Sequence, residues 1–258
     1  MSAILLTLAL AAGHPGPTDE ALAGRAEALF ARGLSRREAG DRGASSFRAA
    51  AAAYEELRRR GHRGAPLYRN LGNAYLLAGD LPRAVLAYRL GLRLAPGDRA
   101  LREGLAAARG QVAYAENSAA GRPRDDPRPA WLAALRPGWL FLAAALAYAG
   151  ACLSLTRWRM LRRDGFLAAG LLLLAAAVPP AGLLAERWRE VPPRRVVVVA
   201  RDGVLLRKGN GLTFPPWFDT PLNRGVEAEL LYDRGGWLQV ELAGGEAGWV
   251  RAADAVVE

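Results

Sequence analysis

Two stretches without a single charged side chain constrain this chain more than any other feature. Residues 137–156 and 165–185 are 20 and 21 residues of uninterrupted uncharged sequence, each long enough as a helix to cross a hydrocarbon core of about 30 Å. Trp139 and Trp158 stand near the ends of the first stretch and Trp188 just past the second, where amphipathic rings anchor a helix at the interface. A membrane hairpin with transmembrane helices at 137–156 and 165–185 is the expectation. Pro179 and Pro180 lie inside the second stretch and remove two backbone donors. Ending that helix at residue 178 leaves about 21 Å, so a half-length or re-entrant segment is the alternative.

The connector 157–164 carries Arg157, Arg159, Arg162 and Arg163, which favours a cytoplasmic placement. The outer flanks are basic as well, with Arg122, Arg124, Arg128 and Arg136 before the hairpin and Arg187, Arg189, Arg194 and Arg195 after it. Orientation therefore leans on the N-terminus. Residues 4–12 form an apolar run too short to span, followed by His14-Pro15-Gly16-Pro17, and residues 1–12 read as a signal peptide despite lacking Lys and Arg. An exported N-terminus and a hairpin put both flanking regions on the extracytoplasmic face of a bacterial inner membrane, as a multi-pass protein.

Residues 18–116 are helical in pattern, with breaks at Gly40–Gly43, Gly61–Pro66, Gly79-Asp80 and Pro96–Asp98. Tyr68, Leu71, Gly72, Tyr75, Ala84, Tyr88, Gly91 and Pro96 fall at the offsets of a 34-residue tetratricopeptide (TPR) repeat beginning at Ala65. Small Gly72 and Ala84 let helices 65–78 and 81–94 approach while the tyrosines fill between them. A degenerate pair precedes them, with Leu29 and Gly33 facing Ala50 and Tyr54, and a capping helix is expected over 99–116. The proline-rich stretch 117–136 is a linker.

After Pro192-Pro193 the pattern turns to strands at 196–200, 204–207, 226–232, 237–242 and 248–250, separated by glycine turns, as in a small barrel over 194–258. The set Leu205, Arg207, Gly209, Gly225, Trp237, Val240, Gly245, Gly248 and Trp249 resembles a bacterial SH3-like domain. The whole order of signal, TPR repeat, transmembrane hairpin and SH3-like module resembles the TPR/SH3 membrane proteins of the bacterial aerotolerance operon, the BatE-like family. The expected fold is thus a multi-domain membrane protein: an all-α TPR helical repeat, a two-helix transmembrane hairpin and a small all-β SH3-like barrel.

The net charge of +10 is almost all arginine, since Lys208 is the only lysine. No stretch interleaves basic and aromatic residues as a base-stacking platform does, so nucleic acid is not an expected partner. Cys152 is the only cysteine, and His14 and His62 are the only histidines, too little for a zinc site or a nucleophile with its base. No catalytic residue, metal or cofactor is expected, and the chain reads as a scaffold rather than an enzyme. Arg69, Asn73 and Leu76 stand on the face of the first repeat helix that a TPR stack turns to its groove, where Arg69 and Asn73 could clamp a carboxylate. On the SH3-like module, Phe214, Trp217 and Phe218 form an aromatic loop beyond what a turn needs, and Trp237 is expected in the barrel core or the floor of a peptide groove, as is Trp249. The family resemblance implies membrane-protein partners, among them von Willebrand factor A-type proteins. A cell-wall peptide, bound as an accessory to a wall hydrolase, is the alternative.

Overall fold

The computed structural model describes residues 18–114, 121–123, 137–189 and 194–258, with the side chains of 137 and of 186 to 189 excepted. Among these residues it places seven helices and one five-stranded antiparallel sheet. The expected signal segment 1–12, most of the linker 117–136 and the Pro192-Pro193 break lie outside the described residues.

Five helices precede the hairpin: α1 (Asp19–Glu38), α2 (Ala44–Arg59), α3 (Ala65–Ala78), α4 (Leu81–Leu94) and α5 (Arg99–Arg109). The starts of α1, α4 and α5 are set locally, by Thr18, Asp80 and Asp98 accepting from the backbone N–H three residues on. The bounds of α3 and α4 coincide with those expected. The helix expected over 99–116 stops at Arg109, where Gly110, a poor helix former, caps it. Glycines then decide how closely the helices pack. A Cβ built on Gly33 would stand 2.6 Å from the Phe47 ring, one on Gly72 2.6 Å from the Tyr88 ring, and one on Gly104 2.5 Å from the same ring. Tyr88 of α4 is thereby fully buried in a slot with glycine on both walls.

The hairpin consists of α6 (Pro137–Leu161) and α7 (Asp164–Arg189). Both are long and apolar enough to cross a membrane, and only 11% of each apolar window is buried. One expectation changes here, and one alternative falls away. The connector is not the eight-residue loop 157–164, because α6 continues to Leu161 and only Arg162 and Arg163 join it to α7. The second segment is not cut short by Pro179-Pro180, which sit inside a continuous helix. Its span Asp164–Ala185 is 22 residues, or about 33 Å, enough for a full crossing. The helices meet through small residues: Gly170 leaves room for Leu155, Gly150 for Leu173, and the Ser154 hydroxyl donates to the Phe166 carbonyl at 2.7 Å.

The sheet runs β4-β3-β2-β1-β5, with β1 (Val196–Val199), β2 (Glu227–Arg234), β3 (Trp237–Leu242), β4 (Ala247–Arg251) and β5 (Ala255–Val257). Five strands are present, but not the five expected. Residues 204–207 make isolated bridges instead of a strand, because their backbone groups are divided among Leu222, Trp217 and Trp249. The fifth strand is β5, which follows a 3₁₀ turn at Ala252–Asp254 and pairs with β1. Along β3 every second residue is buried, so Leu238, Val240 and Leu242 face inward. Trp237 and Trp249 are half-buried on the alternate face and do not belong to the core.

The helical layer and the sheet, two separate modules in the sequence reading, share one hydrophobic cluster. Leu81, Val85, Tyr88, Leu101, Leu105 and Val112 are contiguous with Val196–Val199, Leu206, Leu238, Val240 and Val250. All four valines of β1 are buried, as a strand covered on both faces requires: sheet core on one side, helices on the other. Gly225, at φ +90°, passes so close to α4 and the end of the helical layer that a Cβ would stand 2.7 Å from Val112 and 3.2 Å from Leu81.

Candidate binding surfaces

The aromatic loop owes its shape to Arg207. Its Nη1 donates to the carbonyls of Leu212 at 3.0 Å and Phe214 at 2.7 Å, while the Lys208 and Trp217 amides donate to Pro215 and Leu206. Glycine again makes the seats: a Cβ on Gly209 would enter the Phe214 ring at 2.5 Å, and one on Gly248 would stand 2.8 Å from the Trp217 ring. Both rings nonetheless remain 45% exposed, and Leu212 is 64% exposed. The Lys208 ammonium lies 5.1 Å from the Trp217 ring centroid, within cation–π range. The result is a fixed apolar patch with a cation at its edge. Phe218, expected as part of it, is half-buried and packs against the core shared with the helices. Trp237 stands apart on β3, opposite Arg251 of β4.

On α3 the three expected groove residues have different surroundings. The Asn73 Oδ1 accepts from the Tyr88 hydroxyl at 2.6 Å. Burial pushes that phenol up to about 12, so it remains a donor throughout the neutral range. Leu76 packs against the shared core. Arg69 is half-buried and has no ion pair among the described residues. The structure therefore gives Asn73 and Leu76 internal work and leaves Arg69 as the one polar group of the three without such a bond.

Two clefts arise only from assembly of the fold. One, of about 120 Å³, lies between α2, α3, α4 and β5, with Glu55, Arg58, Tyr75, Arg83, Leu90 and Val257 in its lining. Burial, with the Glu55 carboxylate adding to it, pushes the Tyr75 phenol up to about 12, and the Arg83 guanidinium lies 5.8 Å from its ring. The other, of about 330 Å³, lies where α4 meets β2 and β3, lined by Arg89, Glu227, Glu229 and Glu241 among others.

At the floor of this second cleft is the polar fastening between helices and sheet. Glu227, the first residue of β2, is 5% exposed. Its Oε1 and Oε2 accept from Arg109 Nε at 2.6 Å and Nη2 at 3.1 Å, and Arg89 Nε lies 3.3 Å from Oε2. A bidentate pair plus a second guanidinium satisfies a buried carboxylate. Arg93 of α4 reaches both the Glu258 carboxylate and the Arg194 carbonyl, and the Asn223 amide donates to the Ala113 carbonyl at 2.8 Å. Nothing in the sequence marked Glu227, because Arg109 is 118 residues away and Arg89 further still.

Among the described residues, no group of three or more His, Cys, Asp or Glu is arranged to hold a metal ion. No protein-family model matches the chain, and no curated protein matches it.

Proposed function

We propose that the protein is a non-enzymatic adaptor of the bacterial inner membrane, in which a TPR-like helical layer and an SH3-like sheet form one extracytoplasmic body held at the bilayer by the α6–α7 hairpin. The observation that carries this reading is the aromatic patch of Leu212, Phe214 and Trp217, exposed yet fixed by Arg207 and seated on glycine. A rigid apolar group held out of the core is what a partner's pocket can anchor on without ordering cost. Its support rests on a body whose two halves share a core, so the patch is held by the whole extracytoplasmic unit. That shared core also requires α1–α5 and the sheet to lie on the same side of any membrane the hairpin crosses.

The partner class is a membrane protein, with von Willebrand factor A-type proteins the first to test through the resemblance to BatE-like proteins. Full-length protein in detergent is to be mixed with a purified protein of that type, and separately with purified sacculi. Phe214→Ala with Trp217→Ala is expected to weaken capture by roughly 30-fold or more, as loss of a buried aromatic anchor does. Capture indifferent to that double change would refute the role of the patch. Retention by sacculi alone would replace the adaptor with a wall-peptide-binding module.

A further inference from the structure

Arg157, Arg159, Arg162 and Arg163 fall within seven residues at the apex where α6 passes into α7. All four are exposed, and none forms an ion pair among the described residues. The one acid at this apex is Asp164, the first residue of α7. Because only Arg162 and Arg163 separate the helices, the four guanidinium groups are confined to the end of a narrow two-helix unit and are not spread along a loop.

The backbone supplies a second observation. Arg162 has φ +52°, and every other left-handed position among the described residues is a glycine. An L side chain adopts that conformation at a cost that glycine avoids. An arginine in the position best suited to glycine keeps a charge at the tip of the turn at the expense of local strain. Beside it lies the positive dipole end of α7, a 26-residue helix.

Depth decides which anion is met there. The spans Gly138–Leu161 and Asp164–Ala185 are 24 and 22 residues, about 36 and 33 Å as helices, slightly more than a hydrocarbon core of about 30 Å. The apex therefore emerges at headgroup level, with Met160 and Leu161 still exposed and apolar beside the arginines. We propose that the apex of the hairpin binds the phosphate headgroups of anionic phospholipids, with Arg159, Arg162 and Arg163 and the start of α7 as the site. The proposal rests on the reading that the hairpin spans the bilayer.

The test uses the full chain in vesicles of equal parts phosphatidylglycerol and phosphatidylcholine, followed by extraction in mild detergent and measurement of the lipid retained. Retained phosphatidylglycerol should exceed phosphatidylcholine by roughly fivefold or more, the increment that one arginine near a charged surface supplies. Arg162→Gly should lower that enrichment roughly fivefold while leaving insertion and unfolding temperature unharmed, since glycine suits the left-handed position. Arg159→Gln with Arg163→Gln should abolish it. Equal retention of the two lipids, or enrichment that survives both variants, overturns the proposal. Flotation with the vesicles distinguishes the failures: a chain that stays in the aqueous phase refutes the spanning reading, and one that floats without enriching phosphatidylglycerol refutes the headgroup site alone.

Discussion

Replacing Glu227 with alanine removes the carboxylate on which two arginines from different helices converge, Arg109 from α5 and Arg89 from α4. Breaking a fully buried pair by deleting one partner costs about 3–5 kcal/mol. Here Arg109 and Arg89 keep 22% and 35% of their side-chain surface exposed, so water recovers part of their solvation, and about 3 kcal/mol is the figure to expect. For a soluble body of roughly 160 residues, that lowers the unfolding temperature by about 6–12 °C. Glu227→Gln keeps the shape and one acceptor and should lose less. The assay is thermal unfolding of full-length protein in detergent, followed by tryptophan fluorescence from the sheet, with hydrogen exchange at residues 81–94 and 196–199. Since α4 and β1 lie in one hydrophobic cluster, both segments should lose protection together. Loss at β1 with α4 unchanged, or a variant within about 0.5 kcal/mol of the parent, refutes the claim that the two layers are one cooperative unit.

The same melt tests the helical slot: Gly72→Leu forces a side chain into the Tyr88 ring and should cost about 1–3 kcal/mol or more, whereas Arg69→Ala should stay within about 0.5 kcal/mol; equal melts refute the slot. Alkaline titration follows from Tyr75, Tyr88 and Tyr114, each raised from 10.0 to about 12, with burial the largest cause. The native state holds protons that the unfolded chain releases, so stability should be flat below pH 10 and fall between about 10 and 12. Phenolates titrating at pH 10 without loss of fold would contradict this burial. Phosphatase fusions should be active after residue 116 and after residue 258 and inactive after Arg162; the reverse would place the soluble body in the cytoplasm.

Local chemistry was legible and distant chemistry was not. The bounds of α3 and α4 follow from Pro66, Gly79, Asp80 and Pro82, all within a turn of the ends they set. Four arginines in seven residues look like a loop, but arginine, methionine and leucine are good helix formers and carry α6 on to Leu161. Residues 204–207 have the composition of a strand but no single neighbour to pair with, and Ala255–Val257 is too short to announce itself before β1 is there to receive it. Among the candidate site residues, an excess of aromatics in one loop marks Phe214 and Trp217 but does not decide how far they stand exposed, since that depends on the glycine seats at Gly209 and Gly248. The bond between Asn73 and Tyr88 joins residues 15 apart on different helices, and the Glu227 cluster joins segments that precede and follow α6 and α7 in the chain. Neither leaves a short-range trace.

The burial of β1 on both faces also has a consequence for biosynthesis. A ribosome completes α4, with Leu81, Val85 and Leu86 on its surface, roughly a hundred residues before it reaches the valines that cover them. At about 5–20 residues per second, that interval lasts on the order of 5–20 seconds. Throughout it the helical layer waits with a bare apolar face while α6 and α7, long and apolar enough to cross a membrane, are still being made. Any factor that shields newly made chains would therefore find its longest-lived target on α4, and slowing synthesis between α4 and β1 should prolong that exposure without altering the finished fold.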